Sequence, residues 1–151
     1  MDADVSLRLA EPRDLPDLLR LTGAFYDEDG FTTSDAELRR NFAVLLNAPD
    51  AHVAVAAAEQ HLCGFALTTC RMILESGLVA ELQDLYTEPA HRRRGIASAL
   101  VGDAERWARG SGAALLEVVV APNGRDVTHL VGFYRGRGFR DEGRRLLSLP
   151  L

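Results

Sequence analysis

Residues 82–100 constrain the fold of this chain more than any other part of the sequence. An apolar run ends at residues 86–87, Pro89 breaks the segment that follows, and Gly95 precedes an amphipathic segment. Residues 92–94, directly before that glycine, are all arginine. This order predicts a strand, a short basic loop and a helix. Because the first turn of a helix has unpaired N–H groups that a glycine leaves accessible, we predict a phosphate-binding turn. A solvated basic helix start is the alternative.

Composition and charge predict a single globular domain over residues 1–151 and exclude several functions. The chain is 47% apolar and 26% charged, as in ordinary soluble proteins. Its 17 basic and 22 acidic side chains give a net charge of −5, which does not suit a nucleic-acid binder. A membrane-spanning helix needs about 18 or more consecutive apolar residues, and no such run is present. The acidic N-terminus has no signal-peptide pattern, so we expect a cytoplasmic protein.

The cysteines and histidines give no indication of a disulfide or a metal. Cys63 and Cys70 fit reduced strand residues, since neither has a second Cys or His cluster beside it. The four histidines show no spacing typical of metal ligands. We therefore predict no metal site.

Hydrophobic periodicity predicts an α/β (α+β) fold with the element order βααβββαβαβ. Strands are predicted at residues 5–9, 52–58, 62–73, 79–87, 115–120 and from 139 to about 149. The first helix is expected to run to about Tyr26, and the acids that follow it to form a loop. Ser34 and Glu37 have the spacing of a capping box for the second helix. We expect a mixed, mostly antiparallel sheet with a central parallel βαβ unit and helices on both faces.

Two motifs resemble the GNAT acetyltransferase superfamily, and the resemblance covers nearly the whole chain. The loop Arg92-Arg93-Arg94-Gly95-Ile96-Ala97 resembles the family's acetyl-CoA loop, Arg/Gln-x-x-Gly-x-Gly/Ala. Residues 133–139 resemble its Leu/Phe-Tyr-x-x-x-Gly-Phe signature. The family's asparagine seven residues before this tyrosine is replaced here by Val127, and Asn123 lies four residues earlier.

The resemblance implies acetyl-CoA as the acyl donor, with direct transfer to a primary amine. Backbone groups of the strand before the loop would pair with the pantetheine arm, and the loop would hold the phosphates. The implied contacts are Leu85, Tyr86, Thr87, Arg92, Arg93, Arg94, Gly95, Ile96, Ala97, Ser98 and, by its proximity to the motif, Asn123.

The same resemblance assigns the catalytic residues. An ammonium must lose a proton before it attacks, and the departing thiolate needs one. Tyr134 matches the family's tyrosine and is the predicted general acid. The alternative is a core aromatic side chain whose hydroxyl only contacts water. Glu81 is the preferred base, while Asp84, or a water held by a carboxylate, stays open. In a regularly alternating strand Glu81 and Asp84 point to opposite faces.

Acidic residues predict the acceptor. The run Asp27-Glu28-Asp29, with Tyr26 beside it and Glu75 from a hairpin, would attract a polycation. A solvated acidic loop is the alternative. We predict a small polycationic amine, with an aminoglycoside antibiotic as the concrete choice. A protein N-terminus or lysine, a polyamine, and a non-catalytic acetyl-CoA sensor remain alternatives, and a homodimer stays open.

Overall fold

The computed structural model describes residues 1, 3–122 and 126–151. Within them the strands form one five-stranded sheet in the order β1-β2-β3-β4-β5. Neighbouring strands are antiparallel except for β4 and β5, which are parallel. The predicted mixed, mostly antiparallel sheet is confirmed, with its parallel pair at the β5 edge. The strands are β1 (Val5–Leu9), β2 (Ala51–Ala58), β3 (His61–Ile73), β4 (Gly77–Thr87) and β5 (Leu115–Val118).

The helices of the described residues are α1 (Leu15–Asp29), α2 (Asp35–Leu45), α3 (Ile96–Gly110) and α4 (Val127–Gly136). The predicted capping box of α2 is confirmed. The Glu37 N–H donates to the Ser34 hydroxyl over 3.3 Å, and the Ser34 N–H donates to the Glu37 carboxylate over 2.9 Å. None of the helices in the described ranges is long and apolar enough to cross a membrane.

Acids expected in a loop belong instead to the last turn of α1. The helix continues through residues 27–29 and ends at Gly30, which has φ 76°. The expectation of a loop after Tyr26 is wrong because no glycine or proline lies between Tyr26 and Gly30. A glycine in the left-handed conformation is the usual helix terminator. Carboxylates at this end face the negative end of the helix dipole, so some other contact must hold them there.

The chain forms two compact units, Met1–Val119 and Val120–Leu151. In the first unit, helices cover both faces of the sheet. Val53 and Val55 of β2 pack in a core with side chains of α1 and α2. His52, from the alternate positions of the same strand, bonds Asp103 of α3 over 2.7 Å and stacks on Trp107. The largest fully buried side chains include Phe65, Leu18, Leu21, Leu82, Ile96 and Leu100.

The second unit contains α4 and the C-terminal segment. Tyr134 is buried and packs edge-to-face on Phe133 and Phe139, with ring centroids 5.2 and 5.3 Å away. The strand predicted from residue 139 to about 149 is not formed. The Gly143 N–H donates to the Asp141 carboxylate over 2.9 Å, which makes a local turn. Because aspartate, glutamate and glycine are poor strand residues, this turn prevails.

Candidate active site

A β-bulge in β4 determines the direction of its side chains. Leu67 of β3 pairs with Asp84, while the next residue, Thr68, pairs with Leu82. Gln83 is therefore an extra residue that opposes no partner on β3. A bulge of this kind interrupts the regular alternation of faces along one strand.

The bulge places the two candidate bases on one face of the sheet. Glu81 pairs with Thr69, which lies two residues after Leu67, the partner of Asp84. Residues 67–69 of β3 show no register shift toward β2, so Leu67 and Thr69 share a face and their partners on β4 do too. The expectation that Glu81 and Asp84 point to opposite faces is wrong, because it assumed unbroken alternation.

Asp84 lies in a pocket between the sheet and helices α1 and α2. The Tyr26 hydroxyl donates to its carboxylate over 3.1 Å. Burial raises the pKa of Asp84, and the Tyr26 bond partly opposes this. Burial and the nearby Asp84 charge also raise the pKa of Tyr26. The pocket has a volume of about 140 Å³ and is lined by Thr22, Tyr26, Leu38, Asn41, Phe42, Leu45, Phe65, Leu67, Gln83 and Asp84.

Glu81 is held very differently from Asp84. The Arg71 guanidinium donates to Glu81 of β4 and also to Glu117 of β5, and it is half exposed. Arg71, Glu81 and Glu117 therefore form an ion-pair network across β3, β4 and β5. Among the described residues Asp84 has no ion pair, so its negative charge is not neutralised by a cation.

The end of β4 has an open edge. β5 pairs with residues 79–82 only, whereas β3 accompanies β4 as far as Thr87. Along Leu85, Tyr86 and Thr87, no described strand occupies the side where β5 would continue. Arg92 reaches this segment, and its Nε donates to the Thr87 carbonyl over 2.9 Å. An unpaired strand edge can accept an extended ligand as an additional strand.

The arginine turn has the backbone geometry of an anion site. It follows a 3₁₀ turn at Pro89–His91 and leads into α3, with Gly95 as its N-cap. Arg93 has φ 60° and Gly95 has φ 79°, both in the left-handed region. A turn with left-handed residues that leads into a helix start can direct its N–H groups into a concavity that binds anions.

Gly95 is favoured by its left-handed conformation, which a residue with a Cβ adopts only with strain. A Cβ at this position would lie 3.1 Å from the backbone nitrogen of Met1. After it, Ile96 is buried and fixes the start of α3, Ala97 is half-buried, and Ser98 is exposed. The predicted phosphate-contacting residues therefore lie together at one helix start.

Glu28 contacts the arginine turn. Its carboxylate accepts two bonds from Arg92 Nη2, over 2.8 and 3.0 Å, and one from the Tyr86 hydroxyl over 3.1 Å. The Arg92 guanidinium carbon lies 5.5 Å from the centre of the Tyr86 ring. Burial, followed by the Glu28 bond, raises the pKa of Tyr86 to about 12. Glu28, expected at the acceptor, thus bonds two residues predicted to hold the donor.

The remaining predicted residues are dispersed. Asp27 is exposed and Asp29 half-buried on the last turn of α1. Glu75 is exposed at the tip of the β3–β4 hairpin. Six strand positions separate that tip from the pair Leu67–Asp84, a distance of roughly 20 Å. Tyr134 belongs to the second unit, and Asn123 lies outside the described residues.

Sequence reasoning missed one cluster altogether. His61 Nε2 and His91 Nδ1 lie 3.1 and 2.9 Å from the same oxygen of Glu88. The three side chains form a group with metal-ligating atoms. The only sequence signal is Glu88-x-x-His91, which places two ligand types three residues apart; His61 is far away in sequence.

Comparison with known proteins identifies the family. The acetyltransferase (GNAT) family profile matches residues 15–139. An aminoglycoside N(6')-acetyltransferase type 1 from Klebsiella aerogenes is 30% identical over 115 residues, covering 74% of this chain and 76% of that protein.

Solved structures agree on the fold. An integron cassette protein from the mobile metagenome of Cole Harbour Salt Marsh has a TM-score of 0.83 at 28% identity, covering 96% of this chain and 90% of its own. The aminoglycoside N-acetyltransferase AAC(6')-Iy, solved in complex with CoA, has a TM-score of 0.85 at 19% identity, covering 99% and 97%. The resemblance read from the two sequence motifs is confirmed, and the chain belongs to the GNAT family of acetyltransferases.

Proposed function

We propose that this acetyltransferase moves an acetyl group from acetyl-CoA to a primary amine of a small polycation, and that the acceptor is an aminoglycoside. The observation that carries the proposal is the half-buried carboxylate of Asp84, which has no cationic partner in the described residues and faces a pocket. Such a group attracts an ammonium and takes its proton more readily than an exposed aspartate does. The aminoglycoside acetyltransferase relative supports the choice of acceptor.

Donor binding is assigned to the open edge of β4 and the arginine turn. Leu85, Tyr86 and Thr87 would bond the pantetheine arm through their backbone. The N–H groups from Arg93 to Ser98 would hold the pyrophosphate, with charge supplied by Arg93 and Arg94. Arg92 is already bonded to Glu28 and Thr87, so we assign it the role of holding the turn in place.

Asp84 is the proposed base in preference to Glu81. Glu81 is bonded to Arg71, which it shares with Glu117, whereas Asp84 has no such ion pair in the described residues and faces the pocket. Asp84 accepts the proton of the substrate ammonium, the amine nitrogen forms a bond to the acetyl carbon, and the carbon–sulfur bond breaks. Tyr134, assigned through the family signature, donates its proton to the departing thiolate, while the attacking nitrogen loses its second proton to solvent, from which Tyr134 regains one.

The size of the pocket limits what enters it. A volume of about 140 Å³ is well below the 300–1,000 Å³, roughly, of sites that enclose a whole small-molecule ligand. We infer that only the reacting aminomethyl group enters, while the rest of the acceptor lies outside. Asp27 and Asp29 at the end of α1 remain candidates for its other ammonium groups.

The test is a thiol-release assay with acetyl-CoA and separate panels of aminoglycosides, polyamines and peptides. We expect turnover with aminoglycosides, and a kcat/KM at least about 10²-fold lower in Asp84→Asn. Glu81→Gln, an acid on the same strand and face, is the matched control and should lose much less.

The other outcomes reject parts of this proposal. Turnover of peptides alone would move the acceptor to a protein N-terminus or lysine. Tight acetyl-CoA binding without turnover of any amine would favour the sensor. A greater loss in Glu81→Gln than in Asp84→Asn would return the role of base to Glu81.

A further inference from the structure

The cluster of His61, Glu88 and His91 joins two segments that are distant in sequence. His61 is the first residue of β3, next to the β2–β3 turn. Glu88 follows β4, and His91 ends the 3₁₀ turn that leads to the arginine turn. The family chemistry proposed above uses none of these three side chains.

The hydrogen bonds within the cluster are incomplete. His61 Nε2 bonds Glu88 Oε1 over 3.1 Å. His91 Nδ1 lies 2.9 Å from the same oxygen, but the angles do not make a hydrogen bond, and this nitrogen is buried without a hydrogen-bond partner among the described residues. Two imidazole nitrogens thus converge on one carboxylate oxygen, which satisfies only one of them. A buried nitrogen left in this way is costly unless another group binds it.

The spacing of the ligand atoms suits a small divalent ion. All three lie within 4.8 Å of one another. In a tetrahedral zinc site with bonds of about 2.0–2.1 Å, the ligand atoms are about 3.3 Å apart. The two measured separations from Glu88, 3.1 and 2.9 Å, need only a small opening to reach this value. His61 is about half exposed, so its ring has room to adjust.

Neighbouring charges hold Glu88 in the orientation that a ligand needs. Arg20 Nη1 bonds the other carboxylate oxygen, Oε2, over 3.2 Å and leaves Oε1 to the histidines. Arg20 is itself fixed by Asp17 over 3.0 Å and by the Leu62 carbonyl over 2.7 Å. The charge of Asp17 offsets that of Arg20, so the Glu88 carboxylate remains available to balance the charge of a bound cation. Metal-ligating carboxylates are commonly oriented by such outer hydrogen bonds.

From this geometry we propose that His61, Glu88 and His91 bind a divalent transition-metal ion, with Zn²⁺ as the best fit. Two imidazoles and one carboxylate suit zinc and its neighbours, whereas Mg²⁺ and Ca²⁺ require oxygen ligands. Three protein ligands leave a fourth position for water. The ion fastens the β2–β3 turn to the segment preceding the arginine turn. The ion would thus have a structural role beside the donor site. This role does not depend on the identity of the acceptor.

The test is calorimetric titration of Zn²⁺ into the tag-free, chelator-treated full chain. We expect one ion per chain, with affinity reduced at least about 10-fold in His61→Gln and in His91→Gln, since loss of an outer partner alone costs that much. His129→Gln removes an exposed histidine of α4 and is the matched control, which should bind as the native chain does. Co²⁺ should give the intense visible absorption of a tetrahedral site in the native chain and in His129→Gln only.

Two results would overturn this site. One is the absence of saturable binding of a single Zn²⁺ to the native chain. The other is native affinity in both His61→Gln and His91→Gln. Melting curves in chelator separate loss of binding from loss of folding, because each variant should then melt close to the native chain. A variant that unfolds is replaced by Glu88→Gln, which keeps the shape of the side chain and one acceptor oxygen but removes the charge.

Discussion

Replacing Tyr26 with phenylalanine tests whether Asp84 is the base, because it changes the acidity of Asp84 without touching the carboxylate. The lost hydroxyl donates to Asp84 over 3.1 Å. A hydrogen bond to a charged group contributes about 1.5–3 kcal/mol. The distance is slightly longer than the usual range for two oxygens, so we take about 1.5 kcal/mol. One pH unit corresponds to about 1.36 kcal/mol, so the expected displacement is about one pH unit.

The direction follows from the bond. It stabilises the ionised carboxylate, so its loss makes Asp84 harder to ionise and moves the acidic limb of the kcat/KM profile to higher pH. The assay is thiol release with saturating acetyl-CoA from about pH 5 to about pH 9. Because the acceptor amine is the same in both proteins, its own ionisation cancels in the comparison. Below the limb, Tyr26→Phe should be roughly tenfold slower than the native chain, and well above it the two should converge.

Tyr86→Phe is the matched control for this experiment. It removes another phenol whose hydroxyl bonds a carboxylate, but that carboxylate is Glu28. Its acidic limb should therefore stay at the native pH. A limb that does not move in Tyr26→Phe, or that moves to lower pH, would refute the assignment of Asp84 as the titrating base.

Three further predictions address the acid, the stability and the acceptor. In steady-state kinetics, Tyr134→Phe should lower kcat by about 10²-fold and change KM little, because the phenol acts on the leaving thiolate. An unchanged kcat, with the chemical step rate-limiting, would mean that Tyr134 serves only as a core residue. The pKa of Asp84 is raised above 3.8 in the folded chain, so ionising Asp84 costs the folded state stability as the pH rises past that value. Asp84→Asn should therefore melt no lower than the native chain at neutral pH in scanning calorimetry. A clearly lower melting temperature would contradict this cost of burying the charge. With a multiply charged amine, kcat/KM should fall with salt in the native chain and less steeply in the double variant Asp27→Asn, Asp29→Asn. The reason is that attraction between the ammonium groups and these carboxylates is screened beyond about 10 Å at 0.1 M salt. Equal slopes would remove these acids from the acceptor site.

Much of the fold could be predicted because its elements have strong periodicity or distinct ends. Ser34 and Glu37 identified the start of α2, and the run from Pro89 to Gly95 located the turn before α3. The failures have local causes. Gly30, and not the acids before it, ends α1, since Glu28 finds Arg92 and Tyr86 as partners. Those partners are more than fifty residues away in sequence, so no local pattern reveals them.

The candidate site was predicted by residue type better than by arrangement. Sequence motifs identified both Glu81 and Asp84, but not that Arg71 bonds Glu81 while Asp84 faces a pocket without an ion pair in the described residues. This difference depends on cross-strand pairing, which a single strand does not encode. The cluster of His61 with Glu88 and His91 escaped notice for the same reason, because hairpin geometry alone brings them together.

The extra residue in β4 also affects how strands of this kind can be compared or redesigned. Deleting Gln83 would restore regular pairing between β3 and β4. The β4 side chains that follow the deletion would then point to the opposite face of the sheet, relative to those that precede it. If the residues after Leu82 kept regular pairing with β3, Asp84 would turn away from the pocket that α1 and α2 cover. The number of residues between Glu81 and Asp84 thus decides whether Asp84 meets the pocket. Mutant libraries that keep both acids but vary this spacing would therefore move the carboxylate of Asp84 away from the pocket without changing its residue type.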